Sequence, residues 1–145
     1  MNRQRLAPWF VTGLLEGEGT FTYSRSGRQL LVVFMLRRPA ADAALLERLR
    51  RFFGGIGKLY RIPARTATAR TPSTTCCWKV TRPAELLRLL DHLDRFPFRG
   101  EKRKTYAIWR EMVAIRAAYH RSPPPRELQD LAAALSAAVA AGRSR

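Results

Sequence analysis

Two strands followed by a helix occur twice in succession in this chain, and that repeat limits the folds open to it more than any other feature. Residues 20–25 alternate, with Phe21 and Tyr23 on one side and Thr20, Thr22 and Ser24 on the other. Ser26-Gly27 is a turn signal before the Leu-, Val- and Phe-rich run 29–38. From Pro39 onward Leu45, Leu46, Leu49, Phe52 and Phe53 recur at helical spacing until Gly54-Gly55 stops them. The unit then returns as strands at 58–62 and 74–81, joined by the basic loop PARTATARTPST. A helix follows that opens at Pro83 and carries Leu86, Leu87, Leu89, Leu90 and Leu93. Two such units side by side make one curved four-stranded antiparallel sheet with helices on a single face, an α/β (α+β) architecture.

A short apolar helix precedes the repeat. Pro8 suits a first turn, and Trp9, Phe10, Val11, Leu14 and Leu15 lead to Gly17 and Gly19, which end it. A further helix is predicted over about 102–119, the prolines at 123–125 break the chain, and an alanine-rich helix starts at Arg126. We expect one domain over 1–121, in the order αββαββα. In 122–145 the proline break leads to a helix that docks through Leu128, Leu131, Leu135 and Val139 on the domain or on a partner subunit.

Charge narrows the function. The 27 Lys and Arg residues against 11 Asp and Glu give a net charge of +16, which points to a polyanionic partner, with nucleic acid the first candidate. The distribution is informative: residues 19–41 hold Arg25, Arg28, Arg37 and Arg38 and no acid, and residues 48–84 are again basic and free of acid. Both windows fall on the hairpins, so the sheet face away from the helices should be positive, and a basic ribbon of strands fits a DNA major groove. The residues expected to reach DNA from it are Arg25, Arg28, Arg37 and Arg38 in the first hairpin and Arg61, Arg65, Arg70 and Lys79 in the second. Thr20, Thr22, Thr66 and Thr68 would add adaptable contacts.

Several classes are excluded or unsupported. A hydrophobic fraction of 46% is too high for wholesale disorder, and no stretch approaches the ~20 consecutive apolar residues of a membrane span. MNRQRLAPWF lacks the apolar core and small-residue site of a secretory signal, so a cytoplasmic, nucleoid-associated or organellar location is expected. Cys76 and Cys77 are neighbours on a strand, face opposite ways and make neither disulfide nor zinc site. The glycines of FFGGIGK lack phosphate-loop spacing, and His92 and His120 have no spaced partners. Trp78 shares its strand face with Cys76 and Val80 and is expected in the core.

The chemistry concentrates in residues 11–21, VTGLLEGEGTF, where Gly13 and Gly17 stand four apart on the first helix and Glu16 and Glu18 close it. Carboxylates at a helix C-terminus oppose the macrodipole, costing about 0.3–1 kcal/mol at an exposed site, a cost that a bound metal ion would offset. This segment resembles the signature of the LAGLIDADG homing endonucleases. FFGGIGKLY at 52–60, FPFRGEKRKTYAIWREMV at 96–113 and the element order extend the likeness to the single-motif, homodimeric members over about 9–119.

The resemblance implies a site-specific double-strand DNA endonuclease using Mg2+ (or Mn2+) on a long, roughly palindromic site. It implies that Glu18, with the Gly17 carbonyl, ligates metal, and that Gly13, Leu14, Glu16 and Gly17 form the contact between paired motif helices. By the same resemblance the positive side chain that assists catalysis beside Glu18 is Lys102, with Lys104 the alternative, and Arg38 aligns with a catalytic position near the active-site waters. Two departures stand out: Thr12 replaces the usual small alanine, and both acids are glutamate. An inactive DNA-binding regulator on the same fold and an RNA-binding splicing helper remain alternatives, since a fold does not fix a function.

Overall fold

A computed structural model describes residues 5–63, 74–120 and 124–143. The elements run α1 (Pro8–Glu18), β1 (Gly19–Ser26), β2 (Gln29–Pro39), a 3-10 turn (Ala40–Asp42), α2 (Ala43–Phe52), β3 (Lys58–Ile62), β4 (Thr75–Val80), α3 (Pro83–Arg95), α4 (Lys102–Ala118) and α5 (Arg126–Arg143). The four strands form one antiparallel sheet in the order β1-β2-β4-β3, as the repeated unit predicts. Gly27 and Arg28 make the two-residue hairpin loop between Ser26 and Gln29. Gly27 supplies the φ of +61° that a primed turn requires at its first central position.

Burial on β2 fixes which side faces the helices. Leu30, Val32, Phe34 and Leu36 are buried, and across them lie Phe21 on β1 and Trp78 and Val80 on β4. Helices α1, α2, α3 and α4 close this face with Val11, Leu15, Leu46, Leu49, Leu86, Leu89, Trp109 and Met112. Trp109 sits edge-on to Phe21, and its Nε1 donates to both Thr22 O (3.1 Å) and Val33 O (3.0 Å), so burying the indole leaves no orphan donor. The indole of Trp78 likewise donates to Ile56 O at 3.0 Å. Helix α5 lies on α4 through Leu128, Ala132 and Leu135, and Ser136 bonds the Tyr23 hydroxyl at 2.7 Å, so the last helix docks on its own chain.

The stretch after α2 depends on glycine. Gly54, Gly55 and Gly57 all have positive φ, and a Cβ on Gly57 would meet Lys79 O at 2.6 Å and Val80 Cγ2 at 2.7 Å. Gly57 N also donates to Glu85 Oε1, which ties the entry of β3 to the first turn of α3. Gly57→Ala therefore adds both backbone strain and a clash. We expect it to cost about 2–3 kcal/mol, read as a lower urea midpoint at constant m-value.

Thr12 is buried and donates to Phe96 O at 2.7 Å. Its single proton is thereby spent, so the 3.0 Å contact with His92 has Nε2–H of His92 donating to Thr12 Oγ1. The ring sits among Phe52, Phe53 and Phe96. Burial pushes the His92 pKa down, and the Pro8 carbonyl opposes the shift. A depressed histidine binds fewer protons folded than unfolded. Its contribution is therefore whole above the unfolded value of 6.5 and is lost as pH falls through the folded one. The urea midpoint should drop as pH falls below about 6.5, and His92→Leu should flatten that dependence.

Candidate nucleic-acid interface and active site

The motif helix distributes its side chains over three directions. Val11 and Leu15 enter the core, and Glu18, one turn further, arrives at the junction with β1. Trp9, Thr12 and Glu16 line the side toward the turn between α3 and α4. Phe10, Gly13, Leu14 and Gly17, at helical spacing, form a third face where Phe10 is 48% exposed and Leu14 partly buried. A Cβ placed on Gly13 or Gly17 would meet nothing within 4 Å. Close packing inside the chain is thus not what these glycines serve. Phe10 belongs to this face too, and its spacing from Gly13 and Gly17 was the signal for it.

Three residues singled out from the sequence meet at the end of α1. Arg38 Nη1 donates to Glu18 Oε1 at 3.0 Å, while Arg38 Nε and Nη2 grip Asp42 Oδ2 at 2.9 and 2.7 Å. Lys102 Nζ donates to the carbonyl of Gly19, the residue after Glu18, at 2.6 Å. Burial lowers the Lys102 pKa, and the charges of Glu16 and Glu18 oppose that shift. Lys104 points elsewhere, to Glu101 Oε2 at 3.3 Å, so the geometry distinguishes the two lysines. Glu16, expected at the helix contact, accepts from two amides of its own chain, Arg99 N (3.3 Å) and Gly100 N (2.6 Å).

Hard oxygen donors suit a small divalent cation such as Mg2+, and the end of α1 supplies them. The Glu18 carboxylate is 44% exposed, and the Gly17 carbonyl falls in the last turn, where no helical N–H follows to bond it. Among the described residues no group of three or more His, Cys, Asp or Glu could hold a metal. An ion at the exposed Glu18 carboxylate would be completed by water and phosphate oxygens.

The sheet face away from the helices begins at this site. By register its rows are Thr20, Met35, Lys79 and Lys58, and then Arg37, Cys77 and Tyr60, with Thr22, Ser24, Leu31 and Val33 toward the hairpin end. No carboxylate lies on it among the described residues, and Arg37 and Lys58 are exposed. Two expected contacts fall on the other side. Arg25 pairs with buried Leu30, and its guanidinium stands 5.6 Å from the Tyr23 ring; Arg61 pairs with buried Cys76. Strand alternation puts both with the helices. Arg38 pairs with Cys76 as well and serves the end of α1. Arg28 is exposed at the hairpin loop, and Arg65, Arg70, Thr66 and Thr68 lie outside the described residues. The face is also less polar than the charge windows suggest, because Leu31, Val33 and Met35 run along β2 there. Lys58 and Tyr60, which the charge reading did not single out, share this face, and alternation in β3 opposite Lys79 and Cys77 marks them.

No helix among the described residues is long and apolar enough to cross a membrane. The LAGLIDADG endonuclease family model matches residues 11–113. The chain is 30% identical over 119 residues to an uncharacterized 50.9 kDa protein in ND4 intron 1 of Podospora anserina, covering 76% of this chain and 24% of that one. It is 24% identical over 118 residues to the probable intron-encoded endonuclease 3 of Neurospora crassa, covering 77% and 21%. The chain thus spans about a quarter of the length of these relatives. Among solved structures it resembles the I-SmaMI LAGLIDADG homing endonuclease bound to cleaved DNA (TM-score 0.74, 20% identity, 93% of this chain and 44% of that one). It also resembles the meganuclease I-CpaMI bound to uncleaved DNA (TM-score 0.71, 20% identity, 87% and 41%). With the motif at 11–21, the αββαββα order and a family match over most of its length, this chain belongs to the LAGLIDADG endonuclease family.

Proposed function

We propose that this chain is a site-specific DNA endonuclease that works with a divalent metal, Mg2+ or Mn2+, as a two-fold pair on duplex DNA. The observation that carries the reading is the meeting of Glu18, Arg38 and Lys102 where α1 runs into an acid-free sheet face bearing Arg37, Lys58 and Lys79. The strands lie in the major groove, with these cations on phosphates or guanine edges. This brings the end of α1 to the phosphodiester. Bound metal supplies Lewis acidity at the phosphate and a more acidic water. Glu18 and the Gly17 carbonyl hold the ion. Lys102, its ammonium kept beside Gly19 O, stabilises charge near the reacting phosphate, and Arg38, braced by Asp42, orients the Glu18 carboxylate. Site-specific cutting in the service of an intron or similar element fits the intron setting of both relatives.

Two strands need two sites, and one copy carries one motif. A second copy packed through Phe10, Gly13, Leu14 and Gly17 provides the other, in an isologous contact that presents two related half-sites. Small residues on that face let the helix backbones approach closely.

The direct experiment is cleavage of a randomised duplex library by the purified chain with Mg2+, beside Glu18→Gln. Cuts at one two-fold-related site are expected, falling at least about a hundredfold in the variant while duplex binding persists. Binding without cuts in either protein would favour the regulator, and preference for structured RNA over duplex the splicing helper. For the pair, Gly13→Leu should abolish the dimer in sedimentation velocity without harming the fold. The open space at Gly13 accepts the side chain, and helix propensity improves by about 0.5–1 kcal/mol.

A further inference from the structure

The side of α1 that carries Trp9, Thr12 and Glu16, spaced three and four apart, runs along the turn at residues 96–100 and holds it at successive points. The Trp9 ring meets Phe96 edge-on at 5.1 Å and has the Arg99 guanidinium carbon 4.9 Å from its centroid. Thr12 donates to Phe96 O at 2.7 Å. Glu16 then accepts from Arg99 N and, at 2.6 Å, from Gly100 N. Phe98, between these points, is buried against Phe21 and Tyr106.

The last of these contacts matters most, because α4 begins two residues beyond Gly100. Gly100 O receives Arg103 N at 3.1 Å and Arg103 Nε at 3.2 Å, so Gly100 is joined to the first turn of α4. No side chain caps that helix at Glu101. Its start is therefore placed by the turn, and the turn by Glu16. A Cβ on Gly100 would lie 2.8 Å from Glu16 Oε2, so an alanine there would make the carboxylate shift from its place on the two amides. Lys102, the first residue of α4, reaches back to Gly19 O and completes a loop of contacts from motif helix to turn to α4 and back to the motif.

From this geometry we infer that Glu16 is a positioning residue: its carboxylate clamps the Arg99 and Gly100 amides and thereby sets Lys102 beside Glu18. The inference rests on the proposed nuclease reading. Glu16 touches neither DNA nor metal in this role. The two motif acids divide the work, Glu18 facing the reaction and Glu16 holding the element that delivers the lysine. Charge-assisted hydrogen bonds to backbone amides are short and strong enough for such a clamp. A displacement of about 1 Å in a catalytic group can cost on the order of a hundredfold in rate.

The test compares the full chain with Glu16→Ala, Glu16→Gln and Gly100→Ala, measuring duplex affinity, single-turnover cleavage and amide hydrogen exchange at Arg99 and Gly100. Glu16→Ala should leave affinity within about threefold, slow the single-turnover rate on the order of a hundredfold, and speed exchange at both amides. Glu16→Gln, which keeps an acceptor for Gly100 N, should recover much of the rate. Gly100→Ala should repeat the rate loss with Glu16 intact, which covers the case of a Glu16→Ala protein that fails to fold. An unchanged rate, or equal losses of affinity and rate, would overturn the inference. If the parent chain itself does not cut, the nuclease reading falls, and exchange still decides the clamp: unaltered protection of Arg99 and Gly100 in Glu16→Ala overturns it.

Discussion

Burial of Phe34 against Phe21 and Trp78 is the contact on which the rest of the molecule depends. It lies in the row that crosses β1, β2 and β4, and side chains alternate strictly along each strand. Once Phe34 faces the helices, Leu30, Val32 and Leu36 do so too, and Arg37 is sent to the open face. Arg38, next along, turns back toward α1 and finds Glu18 and Asp42. A slip of one residue in β2 would reverse all of these assignments at once. The candidate site and the candidate DNA surface are therefore both consequences of one apolar register.

Polar groups in the interior follow the same economy. Trp109 and Trp78 give their indole protons to backbone carbonyls, and Thr12 and His92 satisfy each other beside Phe96 O. Threonine in place of a small apolar residue at position 12 gains a role in this way: it ties the motif helix to the end of α3. The helix that carries Glu18 is thus held by packing on one side, by hydrogen bonds on a second, and is open on the third. That open side, with Phe10 and two glycines, is the one the proposed pairing uses.

The elements themselves were largely legible, because apolar periodicity, turn glycines and helix-opening prolines are local signals. β3 matches its predicted bounds, and α4 and α5 begin where expected. Glu18 and Lys102 were legible through the family likeness, and the reach of Lys102 to Gly19 O, 83 positions away and next to Glu18, is a tertiary fact. Which residues lie on the open sheet face was read less well. Arg25 and Arg61 were chosen for their charge, yet alternation with Phe21 and Tyr23 in β1 and pairing with Cys76 in β4 place them on the helix side. Lys58 and Tyr60 occupy the face those arginines do not.

What the sequence determined by itself was the set of elements, their order and the motif, since each depends on residues close together along the chain. It took the packed fold to bring Glu16 to the turn at 96–100 and Arg38 to Glu18, and to leave open space at Gly13 and Gly17. Those outcomes depend on which surfaces are brought together by burying the apolar face of the sheet. The Glu16 carboxylate, two residues from Glu18 in sequence, carries no mark there of the amides it meets 83 and 84 positions away.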